Sequence, residues 1–134
     1  MPFVLDASVA VTWAFEDENH PDAALALARL KSDTARVPSL WCFELRNALL
    51  VNERRGRLTE AGTDGFLRDV GRLAIGIDRS PDETAVLTLA RRRRLAVYDA
   101  AYVELAQRQG LPLASLDNPV RRAAAAGGVA LLGG

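Results

Sequence analysis

Apolar and polar positions along this chain follow two alternating rhythms. Short apolar or β-rich runs occur at residues 3–5 (FVL), around Arg36 and Val37, and at residues 73–77, 113–115 and 129–132. The longer stretches between them carry apolar residues at helical spacing. The pattern predicts helices over residues 22–31, 40–55, 59–72 and 100–109, one more opening at Ser80-Pro81-Asp82-Glu83, and a last short one from Asn118-Pro119. Pro21 suits a first helical position after Asn19 or His20. Gly56 and Gly110 suit helix C-terminal caps, whereas Gly62 and Gly65 weaken the helix that contains them. Strands separated by helices of this length need crossover connections, and crossovers make a parallel sheet. The expectation is one α/β domain over residues 1–134, in three layers, with a mostly parallel sheet flanked by helices. There is no internal repeat, linker or low-complexity tract.

Composition narrows the class. The 134 residues are 49% apolar, enough for a core, and 17 basic residues balance 17 acidic ones. A net charge of zero removes any global electrostatic pull toward nucleic acid and leaves only local clusters. One cysteine, Cys42, and one histidine, His20, exclude an internal disulfide and a multi-histidine or cysteine-based zinc site. No apolar run approaches the ~20 residues of a membrane helix, and the N-terminus lacks the pattern of a signal peptide. A soluble cytoplasmic protein with no membrane contact is expected.

The acidic residues carry the candidate chemistry. Asp6 ends the first apolar run, Asp117 lies just past residues 113–115, and Asp99 follows LAVY at residues 95–98, an apolar stretch feeding the first turn of a helix. Parallel sheets bind ligands at the carboxyl ends of their strands, so these three positions converge at one edge. Glu44 sits inside SLWCFELRNALL, where its neighbours at helical spacing are Trp41, Leu40, Asn47, Ala48 and Val51. A carboxylate on such a face needs a cation, either an arginine or a metal. Taken singly, each aspartate reads as an ordinary helix cap and Glu44 as a salt-bridge partner. Taken together, four acids with no lysine near them make a pocket for a hard divalent ion.

These residues lie in VLDASV at residues 4–9, PSLWCFELRNAL at 38–49, VYDAAYVELA at 97–106 and LASLD at 113–117. In that order and spacing the chain resembles a PIN-domain ribonuclease, and within that group the VapC toxins of bacterial type II toxin–antitoxin pairs. The resemblance implies a parallel sheet flanked by helices and a Mg²⁺- or Mn²⁺-dependent endoribonuclease. It implies that Asp6, Asp99 and Asp117 hold the metal, that Glu44 binds it directly or orients a ligated water, and that Ser8, Asn47 and Ser115 support them. It further implies an RNA substrate, a VapB-like antitoxin covering a groove near the acids, and a homodimer. Asn118-Pro119, directly after the last acid, bears on how the final helix starts and so on the role of Asp117.

ARRRRL at residues 90–95 is the one dense charge cluster. Arg91, Arg92, Arg93 and Arg94 read either as a solvated last helical turn or as a grip on RNA phosphates. Trp13, Phe15, Trp41 and Phe43 read as core, or as lining for the antitoxin groove. A receiver domain would need a lysine near its last strands, and Lys31 is far upstream. A haloacid-dehalogenase phosphatase would need a second aspartate where Ser8 stands. An RNA-processing nuclease that is not a toxin, and a catalytically silent PIN-like binding module, stay open as alternatives.

Overall fold

The computed structural model describes residues 1–133. Strand β1 (Phe3–Leu5) is central in a four-stranded, all-parallel sheet with β2 (Ala35–Pro38), β3 (Ile75–Asp78) and β4 (Leu113–Ala114), in the order β3-β2-β1-β4. Successive strand side chains point to opposite faces, and Phe3, Val4 and Leu5 are all fully buried. Both faces of β1 are therefore covered, which is why this strand reads as an unbroken apolar run instead of an alternation.

The helices are α1 (Ala7–Ala10), α2 (Pro21–Arg29), α3 (Trp41–Arg54), α4 (Glu60–Val70), α5 (Glu83–Arg93), α6 (Val97–Gln109) and α7 (Asn118–Ala126). A 3-10 turn, Val11–Ala14, continues α1. Helix α6 is the central one: every residue from Ala100 to Ala106 is buried, and it packs on β1, β2, β4, α5 and α7. Glu104 sits in that buried run and must be paired. Arg108 Nε donates to it at 2.6 Å, Arg108 Nη2 reaches Asp78 at 2.6 Å, and the Asp82 amide donates to it at 3.1 Å. This network ties the end of β3 and the start of α5 to the central helix. Among the described residues no helix is long and apolar enough to cross a membrane.

Several expected boundaries move. Residues 129–132 form no strand; they touch the sheet through one parallel bridge, Leu113 to Leu131. Asp82, not Ser80, caps α5, its side chain accepting the Ala85 amide at 3.0 Å. Helix α6 begins at Val97, not Ala100, so the apolar stretch before Asp99 is partly its own first turn. Helix α1 and the turn after it are additional elements in a stretch without enough length to show a helical period.

Candidate active site

Four helices begin around one place, and each brings a carboxylate in its cap or first turn. Asp6 is the N-cap of α1 and Asp117 the N-cap of α7, while Glu44 and Asp99 lie in the first turns of α3 and α6. The capping role of the two aspartates is real: Asp6 accepts the Ser8 amide at 3.3 Å and Asp117 accepts the Val120 amide at 3.2 Å. Asn118 and Pro119 open α7 behind Asp117, so the proline occupies a position where no amide is needed. Asp99 stands in the first turn of a helix, as expected, and the start of α6 brings it to the same locus.

The loops that follow β1 and β4 are stitched together. Ser115 Oγ donates to Asp6 Oδ2 at 2.7 Å and accepts the Asp117 amide at 3.1 Å. Ser8 Oγ accepts the Leu116 amide at 3.0 Å. Arg121 Nη1 closes the loop by donating to the Ser115 carbonyl at 2.9 Å. The two serines therefore fix the first and last acids relative to each other across more than one hundred residues of chain. Asn47 is exposed on α3, one turn past Glu44.

Tyr102 escaped the sequence reading. It is fully buried, and its hydroxyl donates to Glu44 Oε1 across 58 residues of sequence. A signal was present: a tyrosine one turn after Asp99, flanked by the apolar residues Ala100, Ala101 and Val103, must find an acceptor for its hydroxyl once buried.

The electrostatics show that the acids share one field. Burial, opposed by hydrogen bonds from Ser115 and Ser8 and reinforced by the Asp117 charge, pushes the Asp6 carboxyl up. Burial also raises Glu44; the Tyr102 hydrogen bond opposes this, and the charges of Asp6, Asp99 and Asp117 add to it. Asp99 is raised by burial and by Asp117. Helix N-termini favour nearby anions by roughly 0.3–1 kcal/mol each, which here offsets the crowding without cancelling it. None of the four acids is ion-paired among the described residues.

An all-carboxylate donor set, crowded and without a cation of its own, fits a hard divalent ion. Among the described residues no three of these side chains already stand at ligating distance around one point. The fit is to an ion held through one or two carboxylates with water completing its shell, as Mg²⁺ prefers. A separate groove of about 540 Å³, lined by Met1, Gln107, Gly127 and neighbours, lies where the strands begin and offers no carboxylate.

A PIN-domain family profile matches residues 3–126, which includes all four acids. The chain belongs to the PIN-domain family. PIN domains are generally nucleases that use divalent metal ions. No curated protein matches this sequence. Among solved structures, this PIN domain is similar to PAE2754 from Pyrobaculum aerophilum, with 25% identity, a TM-score of 0.70, and 92% of this chain and 87% of that one covered. A toxin–antitoxin complex from Klebsiella pneumoniae shares the fold at 16% identity and a TM-score of 0.57, covering 86% of each chain. FitAcB from Neisseria gonorrhoeae shares it at 18% identity and 0.56, covering 98% of this chain and 96% of that one.

Proposed function

We propose that this PIN domain is a divalent-metal-dependent endoribonuclease and the toxin of a type II toxin–antitoxin pair, inhibiting translation by cutting RNA. The observation that carries the reading is the cluster itself. Carboxylates from positions 6, 44, 99 and 117 share one electrostatic field and have no cation among the described residues.

Mg²⁺ or Mn²⁺ held by Asp6, Asp99 and Asp117, with Glu44 binding directly or through a water, would supply Lewis acidity toward the phosphate and lower the pKa of an attacking water. The chain's own groups do the positioning. Ser115 and Ser8 hold Asp6 in one orientation, so its carboxylate is preorganised instead of rotating to meet its ligand. Tyr102 occupies Glu44 Oε1 and leaves the other carboxylate oxygen for a ligated water, and a carboxylate of raised pKa is suited to accept a proton from water.

Replacing Asp6 with Asn should lower metal-dependent cleavage of RNA by at least about 100-fold, ~2.7 kcal/mol of transition-state stabilisation. Full cleavage by that variant would end the assignment. A manganese titration separates the nuclease from a silent binding module, because only the former needs the ion at these acids. The antitoxin is supported by the toxin–antitoxin complex among the similar structures and by Phe43, which stands 78% exposed beside Glu44. Expression from the native operon should yield the protein with a small bound partner.

A further inference from the structure

The arginine run divides into two parts with different surroundings. Arg93 and Arg94 form one wall of a groove of about 420 Å³, and Arg122, from α7, forms the other. Pro119, Ala123 and Ala126 line the rest, so small side chains leave the groove open and no acid enters it. All three arginines are exposed, and among the described residues none of them is in an ion pair. Pro119 lies in the first turn of α7, the helix that Asp117 caps, so the groove reaches the helix end that carries one of the four acids.

Arg94 adds an independent observation. It closes α5 at φ 55°, and it is the one non-glycine residue with positive φ among those described. Any side chain with a Cβ costs stability in that conformation that glycine would not. That cost sits at the mouth of a groove whose other polar groups are two more guanidiniums. Uncommitted guanidiniums with an open, acid-free space between them match the planar oxygen pairs of phosphodiesters.

We propose that the Arg93–Arg94–Arg122 groove binds the phosphodiester backbone of single-stranded RNA and leads it to the carboxylates. This deepens, and rests on, the nuclease reading. It also divides the run: Arg91 and Arg92 are surface charge outside the groove, and Arg122, 28 residues beyond Arg94, is part of it.

The test uses the full chain carrying Asp6→Asn to suppress cleavage, and the probe is a labelled single-stranded RNA of mixed sequence titrated by anisotropy across a salt series. Changing Arg93, Arg94 and Arg122 to Ser together should weaken binding more than 10-fold. Each lost phosphate contact should reduce the log–log salt slope by about 0.7, so by about 2 in all. Arg122→Gln alone should reduce the slope by about 0.7, and it removes no buried group. The pair Arg91→Ser and Arg92→Ser should shift affinity less than about 2-fold, as expected of screened surface charge.

Equal losses from the pair and the triple would overturn the groove, because charge count alone would then explain both. An unchanged slope in the triple variant would overturn it too. So would loss of a copurifying acidic partner with RNA binding intact, which would make the groove a protein-docking surface. Cleavage is measured in parallel with Asp6 restored. Cutting that ignores the groove variants removes the groove and spares the nuclease. Groove-dependent binding by a protein that never cuts RNA does the reverse.

Discussion

Tyr102 shows how one buried hydroxyl constrains a charged site. Burial, then the charge of Asp6 and the hydrogen bond to Glu44, push its phenol well above the ordinary range. The group is therefore a proton donor at every working pH, and Glu44 Oε1 is permanently an acceptor. Tyr102→Phe removes that donor while conserving the ring's packing in the core. Hydrogen bonds to charged groups are worth ~1.5–3 kcal/mol when the acceptor is left dry. Glu44 is only half-buried and can recruit water, so the expected stability cost is near the low end, about 1.5 kcal/mol. The effect on the site should be larger: second-layer partners of metal ligands typically contribute 10–100-fold. Chemical denaturation and manganese calorimetry on the variant give the two numbers. A large loss of stability with unchanged manganese affinity would make Tyr102 a core residue only.

At the scale of elements, α5 and α6 end by the same device with different residues. In each, a residue in the left-handed region donates its amide to the carbonyl four residues back, and the next amide joins it: Arg94 and Leu95 on Ala90, Gly110 and Leu111 on Ala106. Arg94→Gly should therefore raise stability by about 1 kcal/mol while weakening RNA binding, and the denaturant midpoint and the anisotropy assay should move in opposite directions. The comparison also shows what sequence could reveal. Gly110 and Gly56 announced their helix ends because glycine is the ordinary occupant of that geometry. Arg94 did not, because arginine takes the position against its preference. Strand β1 was legible from three apolar residues before an acid, and the PIN-domain membership from four short motifs in order. Asp99 was legible at the opening of a late helix, and only the boundary moved, from Ala100 to Val97, since a short apolar run before a helix cannot be told from the helix's own first turn. Arg122 and Tyr102 were invisible for a different reason: their significance is a neighbour far away in sequence, Arg93 and Arg94 for one and Glu44 for the other.

Over the whole molecule, the fold places four carboxylates where they disfavour one another, and stability must depend on what neutralises them. Asp6, Glu44 and Asp99 have folded pKa values raised above their unfolded ones. Their favourable contribution is complete below the unfolded values, about 3.9 for Asp and 4.3 for Glu, and is lost as pH rises through the folded ones. Asp33 works in the opposite sense. It is lowered, chiefly by its hydrogen bond to the N-terminal ammonium, and its contribution is present above its unfolded value and lost on acidification. Total stability mixes the two, so the informative quantity is the difference between Asp6→Asn and the wild-type protein without metal. The amide keeps one acceptor oxygen, which can still take the Ser8 amide, while its NH2 group meets the Ser115 hydroxyl as a donor, and it carries no charge. The difference should be small or unfavourable to the variant near pH 4 and should turn in its favour toward pH 8. Manganese should reverse the order at neutral pH, since an ion at 100 times its dissociation constant stabilises the protein that binds it by ~2.7 kcal/mol. Unfolding free energies measured across that range, with and without the ion, decide it. A difference that ignores both pH and manganese would mean that Asp6 serves as a helix cap and nothing more.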